Sequence, residues 1–325
     1  MRAARRRQQL RRLSAMYTIG SAPLDPTGFH VRIYSGEIIK FAGLPATAAL
    51  IAFARELIEA ELHPYAPPLV HLHCDHAAQT QRFHGCEKAF SASREVRELW
   101  RGVFEAVGID PHRLARDRLH LRFQPHQDEP AQAPRARTTA TIAFHRDTWG
   151  SNIYAQTNWW GPVYPITAGR TFAFYPDLWD RPVRNTSGDF DLRALLDRSH
   201  ALGRNAVDAD QAIPHLAEDP SGWRAVPVVI DPGTLIAFSG AHAHAGVGNH
   251  TGLTRISLET RTIWIDDLRE GRGARNLDGH ARWQSPGLFR RVSDDQPLHA
   301  LLGCRATVPF DGLPAQPNDC KGPSE

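Results

Sequence analysis

The chain has 325 residues, 42% hydrophobic and 22% charged, with 8 Trp, 14 Phe and 6 Tyr. That composition excludes a disordered or collagen-like polymer and leaves either two modest domains or one large β-rich domain. The formal net charge is +3, but residues 1–15 carry six arginines (Arg2, Arg5, Arg6, Arg7, Arg11, Arg12) and no acid, so the remainder sums to −3 and no nucleic-acid partner is expected.

The Arg-rich start reads as a tail, with Met16 as an alternative start of translation and a transit peptide as the functional alternative. No run approaches the ~18 apolar residues of a membrane span, and no apolar stretch follows the basic start as a secretory signal requires. Four scattered cysteines (Cys74, Cys86, Cys304, Cys320) make no disulfide framework, so a cytoplasmic protein is expected.

From residue 16 to 117 the pattern predicts helical and mixed support. Leu50, Ile51, Ala54, Leu57, Ile58 and Leu62 recur at helical spacing over Thr47–Leu62, with Thr47 as the cap. Ser93 caps a second helix whose apolar face is Val96, Leu99, Trp100, Val103, Phe104 and Val107, and Gly108 closes it. Between them, His71, His73, Cys74 and His76, with His84 and Cys86 further on, superficially suggest zinc. Their spacing matches no common zinc module, and the alternation of Val70–Cys74 suits a strand.

From 118 to 268 the pattern turns to short β-type runs: Leu119–Phe123, Thr139–His145, Ile153–Tyr164, Arg170–Tyr175, Val226–Ile230, Thr234–Phe238 and Thr254–Ile265. Pro, Gly, Asn and Asp punctuate them, as in an antiparallel barrel or jelly roll. A helix near Asp191–Leu202 interrupts the series. Residues 269–325 read as a loop-rich extension, with disorder at Pro314–Glu325.

Two segments carry chemistry. An apolar run delivers His145 and Asp147 at i and i+2, which project to one face of an extended chain, so an imidazole and a carboxylate can converge on one ion. Ninety-seven residues after Asp147, the strand from Gly233 ends in His244-Ala245-Gly246-Val247-Gly248-Asn249, and Arg255-Ile256-Ser257 opens the next run, 11 residues beyond His244. These two runs are expected to form a hairpin that places His244 near Arg255. His242 competes with His244 at the same i, i+2 spacing.

The His-x-Asp pair, the distant His and the following arginine resemble the Fe(II)/2-oxoglutarate-dependent oxygenase superfamily, and Gly233–Asn249 is most similar to its phytanoyl-CoA dioxygenase-like branch. That branch has Gly after the histidine, where this chain has Ala245. The resemblance implies a mainly β fold with helical support, a double-stranded β-helix of the cupin-like jelly-roll kind. It implies that His145, Asp147 and His244 hold Fe(II), leaving room for 2-oxoglutarate and O2. Arg255 with Ser257 would hold the far carboxylate of the cosubstrate.

The implied reaction is hydroxylation of an unactivated C–H bond in a small-molecule metabolite, with 2-oxoglutarate going to succinate and CO2. The presence of Asp147 favours hydroxylation over halogenation, because related halogenases have a small residue there. The alternatives are an oxidative demethylase of nucleic acid or protein and a non-catalytic cupin-like metal-binding protein. Gln156, Asn158 and Trp160 lie on the polar face of one predicted strand and are candidate pocket residues, with Trp149 as a candidate cap. Arg170, Tyr175 and the stretch Trp179–Phe190 form a long loop that reads as a substrate lid. Arg261 is expected to pair with Glu259 or to lie outside the pocket. The oligomeric state is not legible in the sequence.

Overall fold

The computed structural model describes residues 18–19, 26–127, 139–202 and 213–310. The expectations for the basic tail, for Met16 and for Pro314–Glu325 therefore lie outside the described residues. No described helix is long and apolar enough to cross a membrane.

The N-terminal half builds a helical layer: α1 (Pro26–Tyr34), α2 (Pro45–Leu62), α3 (His76–Ala92) and α4 (Arg94–Ala106). Helix α4 starts as its sequence predicts, with the Ser93 hydroxyl accepting the Val96 N–H at 3.3 Å. Helix α2 starts two residues earlier than expected. Leu44 occupies the cap position, Pro45 opens the helix, and Thr47 is buried inside it rather than capping. The strand expected at Val70–Cys74 is a 3₁₀ turn over Pro67–Leu72, where two prolines cannot donate to a ladder. His76 begins α3, whose cap is Asp75.

Two sheets follow. The larger has the order β1-β2-β8-β5-β10-β3-β12, from β1 (Thr18–Ile19), β2 (Ile39–Phe41), β3 (Leu114–Arg116), β5 (Gln156–Pro162), β8 (Leu235–Ser239), β10 (Arg255–Trp264) and β12 (Arg290–Arg291). Strand β4 (His120–Gln124) also pairs with β10, so that this long strand has β5 on one edge and β4 then β3 on the other. All these pairings are antiparallel except β1 with β2. The smaller sheet is β7-β6-β9, from β6 (Phe172–Phe174), β7 (Val226–Pro227) and β9 (His244–Gly246).

The sheet exceeds the 118–268 span expected for the β core, since β1, β2, β3 and β12 lie outside it. Beyond residue 268 the chain is not merely loop: Phe289 and Leu298 pack with Ala115 and Ile263.

The main core lies between the helical layer and one face of the large sheet. Leu50, Ala54, Ile58, Phe83, Trp100 and Phe104 meet Leu121, Phe123, Trp159, Ile256 and Leu258 there. At about 25 cal/mol per Å² of apolar surface, this interface is the main favourable contribution to stability. The opposite face of the large sheet looks toward the small one, and the cavity lies between them.

Candidate metal centre

Antiparallel partners share a face, so the register writes out the floor of the cavity. Arg255 lies opposite Gln124, Ser257 opposite Arg122, and Glu259 opposite His120 and Trp160, while Arg261 lies opposite Asn158. Asn158 and Trp160 of β5 therefore share a face with Glu259 and Arg261 of β10. Asn158, Trp160, Arg255, Glu259 and Arg261 line a cavity of about 160 Å³, together with Phe172 and Phe238. His145, Asp147 and His244 stand in its wall.

The hairpin expected to join His244 to Arg255 does not form. Strand β9 pairs with β6 in the small sheet and β10 with β5 in the large one. His244 and Arg255 reach the same cavity from opposite sheets. The run Thr139–His145 is not a regular strand either. It meets β9 through paired backbone bonds between His145 and His244, both 3.0 Å, and through the Gly246 N–H to the Ile142 carbonyl at 2.8 Å. A Cβ at residue 246 would come within 2.8 Å of the Thr141 side chain, so the close approach of these segments requires Gly246.

Ligand atoms of His145, Asp147 and His244 all lie within 4.8 Å of one another, and these residues form the one such cluster among the described residues. The Nδ1 of His145 faces the Ala143 carbonyl at 2.9 Å and that of His244 faces the His242 carbonyl at 2.9 Å. Each backbone contact fixes a tautomer with the proton on Nδ1, which leaves the Nε2 lone pair for a metal. The His145 Nε2 stands 3.6 Å from Asp147 Oδ1. Burial, reinforced by His145, pushes the His244 imidazole down to about 4, so it is a neutral donor at ordinary pH. Burial would raise the Asp147 carboxyl, but His145, His244 and Arg261 outweigh it and hold it well below the usual carboxylate range.

Asp147 occupies the cap position of a short helix, α5 (Thr148–Ser151), yet makes no side-chain cap bond. Its Oδ2 instead accepts from the Asn158 amide, whose own oxygen accepts from Gln156 Nε2 at 2.8 Å. Arg146 points the other way, into the protein. It donates to the carbonyls of Ala241, Leu178 and Arg181 at 2.6–2.9 Å and lies 3.3 Å from Asp278. The metal motif is thus pinned from behind by a buried ion pair.

Arg255 lines the cavity, buried and with its Nε unpartnered, while Ser257, two residues along β10, is outside the lining with its Oγ buried and likewise without a partner. Orphaned donors at such positions are expensive unless a ligand completes them. Burial, with Arg122 adding to it and Glu259 opposing it, pushes the Arg255 guanidinium down to about 10. Glu259 itself is held by Arg122 at 2.6 Å, and Arg261 lines the cavity with its Nε on Asp117 at 2.5 Å. The expectations that Arg261 pairs with Glu259 or stays outside the pocket are corrected by this pairing.

Other candidates move away from the cavity. Trp149 is fully buried, donates to Asp278 at 2.7 Å and packs on Phe144, because the chain turns helical at Thr148 and the extended alternation ends. Gln156 sits behind Asn158 rather than in the lining. His242 has Ser239 and Gly36 carbonyls at its two ring nitrogens, 3.1 Å each, and stacks near Trp179. The expected lid packs beside the motif instead: Tyr175 borders Phe144 and Trp223, and none of Trp179–Phe190 lines the cavity. Residues 140–143 and Ile213 line it in their place. Arg122 and His120 were missed, although the alternation His120, Arg122, Gln124 against Leu121 and Phe123 was a signal for a polar inner face.

No family model and no curated protein matches the chain. Solved structures similar to it include the non-heme monooxygenase ThoJ in a nickel complex, at 14% identity over 73% of this chain and 77% of that one, with a TM-score of 0.40. EctD from S. alaskensis with bound Fe is 12% identical over 81% and 82% of the two chains, TM-score 0.36. The epimerase SnoN in complex with Fe3+, alpha ketoglutarate and nogalamycin RO is 13% identical over 73% and 84%, TM-score 0.38. Likeness at this level says nothing of which reaction this chain performs.

Proposed function

We propose that the chain is an Fe(II)- and 2-oxoglutarate-dependent dioxygenase that hydroxylates an unactivated C–H bond of a small-molecule metabolite, built on a double-stranded β-helix of the phytanoyl-CoA dioxygenase-like branch and working in the cytoplasm. The observation that carries this reading is the convergence of two tautomer-fixed imidazoles and one carboxylate within 4.8 Å in a cavity wall. Two nitrogens and one oxygen suit divalent iron with positions left open, whereas a structural zinc site would be closed by a fourth protein ligand.

The residues fit the group. His145, Asp147 and His244 would hold iron, and the orphaned Arg255 Nε and Ser257 Oγ would complete their hydrogen bonds on the distal carboxylate of the cosubstrate. Iron bound there with 2-oxoglutarate and O2 supplies the oxidising power, one oxygen atom going to the substrate and the other to succinate, with release of CO2.

The protein's own contribution is positional. The Ala143 and His242 carbonyls hold the imidazole tautomers, Asn158 holds the carboxylate, and Trp160, Phe172 and Phe238 give the cavity an apolar side that excludes water. The test is succinate release by Fe(II)-reconstituted protein, followed by mass spectrometry of a metabolite extract for a product heavier by one oxygen. Succinate that forms equally without Fe(II), or with the Asp147→Ala protein, would overturn the reading.

A further inference from the structure

We infer that Gln156 and Asn158 act as a one-way donor chain that positions the Asp147 carboxylate and selects Oδ1 as the oxygen offered to a metal. The inference rests on the reading of His145, Asp147 and His244 as a metal site. The Asn158 Nδ2 donates to Asp147 Oδ2, the Gln156 Nε2 donates to Asn158 Oδ1 at 2.8 Å, and Asp147 Oδ1 is left 3.6 Å from the His145 Nε2.

The direction of the chain follows from what each group can do. An ionised carboxylate only accepts, so Asn158 must turn its NH2 toward Asp147 and its oxygen toward Gln156. Gln156 must then present its own NH2. With both amides reversed, the Asn158 carbonyl would face the Asp147 carboxylate and the contact would be repulsive. The Gln156 Oε1, at the start of the chain, is buried without a partner, so no donor there favours the reversed amide.

The chain sits where it cannot swing. Gln156 and Asn158 project from the same face of β5, which lies between β8 and β10, and both side chains are buried. A Cβ at residue 240 would come within 3.0 Å of Gln156 Nε2 and 3.3 Å of its Cδ, so glycine there leaves the room that the amide occupies. Asp147 sits in a cap position that normally directs the carboxylate to the helix N–H groups, and no such bond is made. Asn158 supplies the competing partner.

Gln156 and Asn158 are positioning residues, and the readout is metal affinity in the absence of turnover. Co(II) is titrated calorimetrically into the full metal-free chain, its Asn158→Leu and Gln156→Met variants and the double variant, with the melting temperature of each metal-free protein recorded. Asn158→Leu is expected to weaken Co(II) binding by about 10–100-fold, the range seen when outer partners of metal ligands are removed. Gln156→Met is expected to weaken it less. In the double variant, binding should match Asn158→Leu within about twofold, because Gln156 acts through Asn158.

Co(II) affinity unchanged in either single variant would overturn the inference, and so would a Gln156→Met loss that repeats in full on the Asn158→Leu background. Should Asn158→Leu fail to fold, Gln156→Met alone decides. A wild-type chain that binds no Co(II), or binds it equally after Asp147→Ala, would instead refute the metal-site reading.

Discussion

The two faces of the large sheet come from the same strands and do opposite work. Along β10, Ile256, Leu258 and Trp264 enter the core beneath the helices, while Arg255, Glu259 and Arg261 line the cavity. On β5, Trp159 packs among Phe29, Phe41 and Phe104, whereas Asn158 reaches Asp147 on the other side. One face is apolar and packed against the helices. The other holds a buried guanidinium whose Nε has no partner and a serine whose Oγ has none, an arrangement that is unfavourable until something binds. A one-residue slip of β10 would exchange the two sets, so the core that stabilises the fold also sets the register of the site.

Asp147→Ala should lower succinate release by at least about a thousandfold, ~4 kcal/mol, with an unchanged far-ultraviolet circular dichroism spectrum. Trp159→Ala, one residue from Asn158 but on the other face, should lower the unfolding free energy by about 3–5 kcal/mol in chemical denaturation. If it spared stability and removed metal binding, the division of the faces would be wrong.

The helical side should also carry an acid-labile group. His30 is buried against Trp264, and burial pushes its imidazole down to about 4 from 6.5 despite the opposing pull of Asp267. The unfolded chain takes up that proton first, so the stabilisation is complete above pH 6.5 and is lost as the pH falls toward 4. At 1.36 kcal/mol per unit this is about 3 kcal/mol at most. Denaturation midpoints of the metal-free protein between pH 7 and 4 measure it, and His30→Asn should flatten the decline.

Arg255→Met is the converse. It removes a charge from the cavity face, so 2-oxoglutarate should bind about 30-fold more weakly, ~2 kcal/mol, while the melting temperature stays level or rises. A marked loss of stability would show that Arg255 is structural.

Much of the candidate site was legible because its signals are local. His145 and Asp147 need only i, i+2 spacing, and His244 and Arg255 are marked by the turn between them. What could not be read is which sheet each strand joins. The expected hairpin fails because β9 finds its partner in β6, some 70 residues upstream, and short-range spacing holds no record of that. Trp149 was misdirected for a different reason: the alternation that aligns His145 with Asp147 stops at Thr148, where the backbone turns helical. Gln156 was placed on the correct face, but its reach to Asn158 depends on room left by Gly240, in the turn that follows β8.

The proposed function requires a metal held by His145, Asp147 and His244, and a cosubstrate anchored through that metal and Arg255. Calorimetric titration of 2-oxoglutarate into Fe(II)-loaded and metal-free protein under argon tests both together. One molecule bound per Fe(II)-loaded chain, with markedly weaker binding when the metal is absent and after Asp147→Ala, is the predicted result. Equal binding with and without Fe(II), or none to the loaded protein, would contradict it.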